Sequence, residues 1–203
     1  MSSQKFEVVS GKMILSDPCY AVGTWCQGII DNVKNGTWIG VIEQSYEGDW
    51  GTRNSMLISM NLESISKIPL LERNLITQGE PLSFEGGVDS GQFGHFDYAN
   101  YRKDELAVDL EKSFDDNYAI EIGDEWYRAI CNITLTKEDE FGSLPFGVVS
   151  SSGFGDGSYT TYGIKDDEGL YVGFMTIFID EDDDDCREDD YLISEYDGEE
   201  DDE

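Results

Sequence analysis

Residues 148–180, VVSSSGFGDGSYTTYGIKDDEGLYVGFMTIFID, constrain the fold more than any other part of the chain. Two runs rich in aromatic and β-branched residues flank a turn at residues 165–169, a pattern that predicts two long strands. A glycine-rich loop at residues 152–158 leads into the first of them. We therefore expect the rest of the chain to be organised around this hairpin.

The glycine-rich loop has two interpretations. Glycines at positions 153, 155 and 157 weaken a plain strand, because each loses more backbone entropy on folding and packs nothing. One interpretation is a ligand or metal site made of backbone amides, the Asp156 carboxylate and the hydroxyls of Ser158 and Tyr159. The other is a bulge or wide turn in which Asp156 bonds its own backbone. The loop is not a phosphate-binding P-loop, since no GK[ST] follows and the next element is a strand.

Composition supports one β-rich domain. The 203 residues include 22 Gly, only 4 Pro, and 10 Phe, 11 Tyr and 4 Trp, enough aromatic side chains for a sizeable core. We predict an α+β, β-rich fold: antiparallel sheet or sheets over residues 1–180 with one or two short helices, followed by a flexible, disordered acidic tail at 181–203.

Hydrophobic periodicity locates the remaining elements. Apolar residues at helical spacing predict helices at residues 24–33 and 98–114, and residues 61–79 indicate an irregular connection or a short helix. Alternation predicts a strand at residues 125–136, paired with the C-terminal hairpin. Further strands are expected at residues 5–9, 12–15, 37–44, 55–60 and 146–150.

The charge limits the classes of partner. With 44 acidic and 13 basic residues the formal net charge is −31, and residues 1–179 alone hold 28 acids against 12 bases. Direct binding to nucleic acid or to an anionic membrane surface is excluded, because both need cationic contacts. A basic protein partner is favoured. The alternative is that the charge serves solubility alone.

The tail holds the candidate partner-binding residues. A segment this rich in like charge repels itself and is predicted to be disordered in isolation. It either anchors a basic partner or only keeps the protein soluble. The partner-binding candidates are Asp182, Asp183, Asp184, Asp185, Glu188, Asp189, Asp190 and Tyr191.

Cysteine spacing and the lack of apolar segments indicate a cytoplasmic protein with reduced thiols. Cys19, Cys26, Cys131 and Cys186 match no zinc-binding spacing. No apolar leader follows Met1, and no apolar run approaches the ~20 residues of a membrane span. We expect no cofactor.

Acidic turns could carry chemistry only if the fold brings them together. Three convergent carboxylates would suit Mg²⁺ or Ca²⁺, but any chain this acidic has acidic turns, so whether a metal binds is left open. His95 is the only histidine, and Asp97 two residues later on the same strand face could orient it. Cys19 or Ser158 would then have to supply a nucleophile. The ligand-binding candidates are Asp17, Asp89, Ser90, Gln92, Gly155, Asp156, Gly157, Ser158 and Tyr159.

Three blocks, SGKMILSDPCY at residues 10–20, GVDSGQFGHFD at 87–97 and VVSSSGFGDGSYTTY at 148–162, resemble an uncharacterised family of bacterial and phage proteins grouped under a domain of unknown function. The resemblance extends over roughly residues 10–180. It implies a compact cytosolic β-rich domain in which the SDPCY, VDSGQ and GDGSY turns meet. It implies no particular reaction, and His95 is not among the motif residues.

Two hypotheses follow for function. The first is an acidic, non-enzymatic interaction protein, an inhibitor that docks on a basic nucleic-acid-handling protein as phage anti-defence proteins, nucleic-acid mimics and immunity proteins do. The alternative is a small-ligand or metal-dependent pocket built from the glycine-rich turns, in a hydrolase or a ligand-sequestering protein. A third possibility is that these turns are purely architectural. The sequence does not determine the oligomeric state.

Overall fold

A computed structural model describes residues 3–65, 79–106 and 124–180 of the chain. These residues form eleven strands and one α-helix. In chain order the elements are β1 (Ser3–Val8), β2 (Lys12–Ser16), β3 (Gly28–Asp31), β4 (Gly36–Tyr46), β5 (Thr52–Asn61), β6 (Glu80–Val88), β7 (Gln92–Asp97), α1 (Asp124–Thr136), β8 (Phe141–Leu144), β9 (Gly147–Ser151), β10 (Gly157–Lys165) and β11 (Tyr171–Ile177).

The strands form two antiparallel sheets. The first has the order β1-β4-β5-β11-β10-β6 and the second the order β3-β2-β7-β9-β8. The predicted hairpin is β10–β11, which pairs in register Thr161↔Thr176 near the middle of the first sheet. The β-rich fold class with antiparallel sheets is thereby confirmed.

Hydrogen bonds also connect the two sheets at their edges. The Glu7 amide of β1 donates to the carbonyl oxygen of Pro145 beside β8 (2.9 Å), and the Gly87 amide of β6 donates to that of Cys26 beside β3 (3.4 Å). Each edge of one sheet therefore lies against an edge of the other.

The main core lies between the sheets. Alternation along β4 turns Trp38 inward, where it stacks on Phe174 of β11 with ring centroids 5.9 Å apart. Phe93 of β7 and Val148 of β9 are fully buried in the same cluster from the second sheet. A second cluster covers the outer face of the second sheet, where Trp126 and other residues of α1 pack on Phe96 and Val149.

One close approach in the second sheet has a measurable consequence. A methyl group at Gly94 in β7 would meet the Phe96 ring and lie 2.7 Å from the carbonyl oxygen of Val148 on β9. We expect Gly94→Ala to lower the free energy of unfolding by about 2–3 kcal/mol, the usual cost of overpacking. Urea unfolding measures this. Gly157→Ala is the matched control, because the atoms nearest to its methyl group would be those of the Tyr159 side chain, at 3.2 Å or more, and not a backbone atom. Equal midpoints for the two variants would contradict the prediction.

The strand predicted at residues 125–136 is wrong, because this segment is helix α1. Its composition of Trp, Tyr, Ile and Thr favours a strand. Its buried residues, however, are Trp126, Ala129, Ile130, Ile133 and Thr134. These positions are spaced by three and four, the stripe with which a helix covers a sheet.

The helices predicted at residues 24–33 and 98–114 also differ from the structure. Residues 28–31 form strand β3, an edge strand paired with β2, so the apolar positions there serve a sheet. Residues 98–100 and 104–106 form single 3₁₀ turns, and residues 107–114 lie outside the described ranges. Of the connection expected at 61–79, residues 66–78 lie outside them as well. No helix in the described part of the chain is long and apolar enough to cross a membrane.

Candidate functional site

Strand direction gathers five connections at one end of the two sheets, which we call the loop end. The registers place the end of β2 beside the start of β7, the end of β9 beside the starts of β7 and β8, and the end of β6 beside the start of β10. The last residue pair between β4 and β5 is Tyr46↔Thr52, so the turn that joins these strands lies at this same end. The loop end therefore consists of residues 17–27, 47–51, 89–91, 137–140 and 152–156.

Asp17 joins the first and third of these connections. Its side chain is 0% exposed. One carboxylate oxygen accepts from the backbone amides of Asp89 (2.9 Å) and Ser90 (2.8 Å), and the other from the Ser90 hydroxyl (2.7 Å) and the Cys19 amide (2.8 Å). Four donors thus surround one carboxylate, so the SDPCY and VDSGQ turns are held together by Asp17.

The glycine-rich loop contacts the VDSGQ turn on its other side. The Ser152 amide donates to the carbonyl oxygen of Gly91 (3.0 Å), and Gly91 and Gly155 lie so close that a methyl group at Gly91 would be 3.8 Å from the Gly155 Cα. Within the loop, the hydroxyls of Ser152 and Tyr159 both donate to the Gly155 carbonyl oxygen, at 2.9 and 2.7 Å. The three motif turns are therefore contiguous.

Contiguity does not produce one cluster of reactive side chains. The Asp17 carboxylate is buried and its oxygens accept hydrogen bonds from the turns. Gln92 is also buried, and its side-chain amide donates to the Thr134 hydroxyl at 2.7 Å. Asp89, Asp156 and Ser158 are exposed to solvent, and Gly157 with them. Within residues 3–65, 79–106 and 124–180, no three His, Cys, Asp or Glu side chains group so as to hold a metal ion.

His95 lies in the core, away from solvent. Its Nδ1 is 2.8 Å from the Ser59 hydroxyl and its Nε2 is 2.9 Å from the Thr176 hydroxyl, which in turn contacts Thr161. Complete burial lowers the pKa of His95 from 6.5 to about 3. The imidazole is neutral at pH 7 and links the two sheets.

Asp97 does not orient His95. Its carboxylate accepts from the amides of Val9 and Ser10 (2.9 and 2.8 Å), from the Ser10 hydroxyl (2.7 Å) and from the Asn100 side-chain amide (2.7 Å). Asp97 therefore holds a turn at the opposite end of the sheets, as Asp17 does at the loop end.

Cys19 is a poor nucleophile. Burial raises the pKa of its thiol to about 12, and the hydrogen bond and negative charge of Asp17 act in the same direction. Since the thiolate is the reactive form, little of it exists at neutral pH. The structure thus places neither of the proposed nucleophiles in contact with His95, whose ring nitrogens contact Ser59 and Thr176.

The loop end carries exposed aromatic residues that periodicity did not identify as functional. Trp50 is 67% exposed and Phe154 is 55% exposed, and their rings pack edge to face with centroids 5.9 Å apart. Tyr46 (77%) and Trp25 (89%) are exposed at the same end. The sequence did contain a signal that these two residues are exposed. Trp50 and Phe154 each lie in a glycine-flanked turn, where a large aromatic side chain has no strand face to pack on.

A polar cleft of about 620 Å³ also lies at the loop end. It is lined by Gln44, Thr52, Asn54 and residues 137–140, and so includes none of the predicted ligand-binding residues. Asn54 forms a fixed part of its wall, since its side chain bonds Gln44 (2.9 Å), the Asp139 carbonyl oxygen (3.1 Å) and Ser151 (2.9 Å).

Negative charge dominates the loop end. The connections at 47–51, 89–91, 137–140 and 152–156 contain seven acidic residues and one basic residue, Lys137. Asp49, Asp89, Asp156 and Glu138 are exposed. The predicted partner-binding residues at 182–191 lie outside the described ranges, and residue 181 follows Asp180 directly. Phe178 and Ile179 lie against Gly153, so the acidic tail is attached at this end.

Comparison of the chain with protein-family models, with curated proteins and with solved structures gave no match. The geometry and charge of the loop end are therefore the observations on which a functional proposal rests.

Proposed function

We propose that this chain is a non-enzymatic interaction protein that binds a basic protein. One observation carries the proposal: residues 1–179 contain 28 acids and 12 bases, so sixteen carboxylates have no cation of this segment even if every base is paired. Lys12–Asp31 (3.0 Å) and Lys34–Asp166 (3.4 Å) are ion pairs among the described residues. A partner with the opposite charge would neutralise the excess and be drawn to it over long range.

The environments of the reactive side chains favour binding over catalysis. Asp17 and Asp97 are fully buried, and each accepts four hydrogen bonds from turns. His95 has its two ring nitrogens engaged in the core. A general base must instead lie within reach of a substrate proton.

The partner class that fits is a nucleic-acid-handling protein. Such proteins carry clusters of Lys and Arg that neutralise phosphates. A protein presenting many carboxylates competes for those clusters, which makes inhibition by occupation the mechanism. Membership of the phage and bacterial family that the three motif blocks resemble, with an anti-defence, mimic or immunity role, is part of the same proposal.

Salt dependence tests the proposal. The full chain and a form ending at Asp180 are immobilised and exposed to bacterial lysate at low salt and at about 1 M salt, where the Debye length falls to about 3 Å. We expect low-salt capture of a nucleic-acid-handling protein that is lost at high salt. The shortened form, whose net charge changes from −31 to −17, should capture less.

Capture that is unchanged at high salt would contradict the charge mechanism. Equal capture by the two forms would assign binding to residues 1–180 and leave the tail a solubilising role. Absence of any capture would favour the alternative hypothesis, a small polar ligand bound in the 620 Å³ cleft. A thermal-shift screen of small ligands is then the next measurement.

A further inference from the structure

We propose, on the basis of the proposed function, that the partner docks at the loop end and that an arginine-rich segment of it binds the aromatic–acidic patch. We define this patch as Trp50, Phe154, Asp49 and Asp156. The inference names the surface and the chemistry of its occupant, whereas the proposed function requires only a basic protein.

The Trp50–Phe154 pair is exposed to solvent although both rings have contacts within the protein. The two rings contact each other edge to face, and the Arg53 guanidinium lies 6.0 Å from the Trp50 ring centroid. More than half of each side chain still faces solvent. Large exposed aromatic groups are typical of binding surfaces, because they supply contact area while losing little rotamer entropy.

The loops under the pair are ordered by internal hydrogen bonds. Gly155 lies at the centre of the glycine-rich loop, and its carbonyl oxygen accepts hydrogen bonds from the hydroxyls of Ser152 and Tyr159. The hairpin turn at 47–51 closes through the Glu47 amide, which donates to the Gly51 carbonyl oxygen at 2.8 Å. A surface that is already ordered loses little entropy when it binds.

The patch combines the two groups that recognise guanidinium. An aromatic face attracts a cation through its quadrupole. Asp49 and Asp156 are exposed in the two turns that carry the rings, and a carboxylate can accept two parallel hydrogen bonds from one arginine. Arginine fits both groups better than lysine, since its planar cation stacks and forms bidentate pairs.

Charge decides among the possible occupants. Nucleic acid and an anionic membrane surface are repelled by the seven acids of the connections at 47–51, 89–91, 137–140 and 152–156, and a second copy of the chain would bring a further net charge of −31. Residues 181–203 add fifteen acids and one arginine to the charge of the chain. A basic protein segment is the occupant that this field attracts.

Fluorescence anisotropy of a labelled peptide of alternating arginine and glycine tests the inference on the full chain. Trp50→Ala with Phe154→Ala should weaken binding about tenfold, the sum of two modest cation–π losses. Val9→Ala, which removes an exposed apolar side chain (53%) from the β1–β2 turn at the opposite end of the sheets, should leave the affinity unchanged. The lysine version of the peptide should bind more weakly than the arginine version, and a glutamate version should not bind.

Two charge-matched variants separate a local site from general attraction. Asp49→Asn with Asp156→Asn removes two charges at the patch, and Asp167→Asn with Glu168→Gln removes two from the β10–β11 turn at the opposite end. We expect the first pair to weaken binding and the second to have little effect. Urea unfolding midpoints equal to that of the unaltered chain show that the variants remain folded.

The outcomes distinguish the two proposals. Equal weakening by both charge pairs, or an unchanged affinity after loss of both rings, would overturn the docking surface and leave the proposed function standing. A failure of the unaltered chain to bind the arginine peptide at low salt would overturn the docking inference, and the salt-dependent capture from lysate separately decides the proposed function. Self-association that disappears with the two rings would identify a second copy as the occupant and overturn the inference.

Discussion

Replacing Asp17 with asparagine should lower the free energy of unfolding by about 4 kcal/mol. An asparagine oxygen can keep two of the four donors, but its NH₂ group would then face the backbone amides of Asp89 and Ser90. Two hydrogen bonds to a charged acceptor are lost, each contributing about 1.5–3 kcal/mol, and two partly buried donors are left facing another donor. Urea unfolding monitored by tryptophan fluorescence measures the change.

Asp156→Asn is the matched control for this variant. It removes the same charge from a neighbouring turn, but Asp156 is exposed, so its replacement should shift the unfolding free energy by less than about 0.5 kcal/mol. If Asp17→Asn were as stable as Asp156→Asn, the view that Asp17 holds the turns together would be wrong. Asp17 would then be available as a ligand-binding group, as the alternative interpretation of the sequence supposes.

Acidification should destabilise the protein through His95. The pKa of this histidine is lowered to about 3 by burial, whereas it is 6.5 when the chain is unfolded. Between these values the unfolded chain binds a proton that the folded chain does not, so lowering the pH favours unfolding. The contribution is fully present above pH 6.5 and is lost at about 1.4 kcal/mol per pH unit, reaching about 5 kcal/mol near pH 3.

The comparison with His95→Gln isolates this contribution, because the many carboxylates titrate in both proteins. The unfolding free energy of the unaltered chain should fall more steeply between pH 6.5 and 4, by about 1.4 kcal/mol per unit, than that of the variant. Parallel pH profiles would contradict the prediction. They would show that the imidazole is hydrated or already protonated in the folded protein.

Both predictions rest on a difference in role between buried and exposed polar residues. Asp17, Asp97 and His95 stabilise the two sheets and their turns from within, where solvent does not reach them. The remaining acids, with Trp50 and Phe154, form the surface that a partner would meet. Substitutions in the first set should therefore change stability, and those in the second should change binding with stability retained.

Local sequence determined much of the strand content. The β10–β11 hairpin, the glycine-rich loop before it, and strands β1, β2, β4, β5 and β9 follow from alternation and turn residues, which act over a few neighbouring positions. The net charge, and with it the expectation that nucleic-acid and anionic membrane surfaces are not bound directly, also needs no structure.

Tertiary structure decided the rest, because long-range packing overrides local preference. Residues 124–136 have strand-favouring composition, yet they form a helix since their buried stripe has a sheet face to cover. Asp17 and Asp156 look alike as acids in turns, but one meets donors 72 and 73 residues away and the other meets solvent. The order of the strands in the sheets decides which acids are buried and which are exposed to solvent. It also brings Trp50 into contact with Phe154, 104 positions away. No local sequence pattern encodes that order.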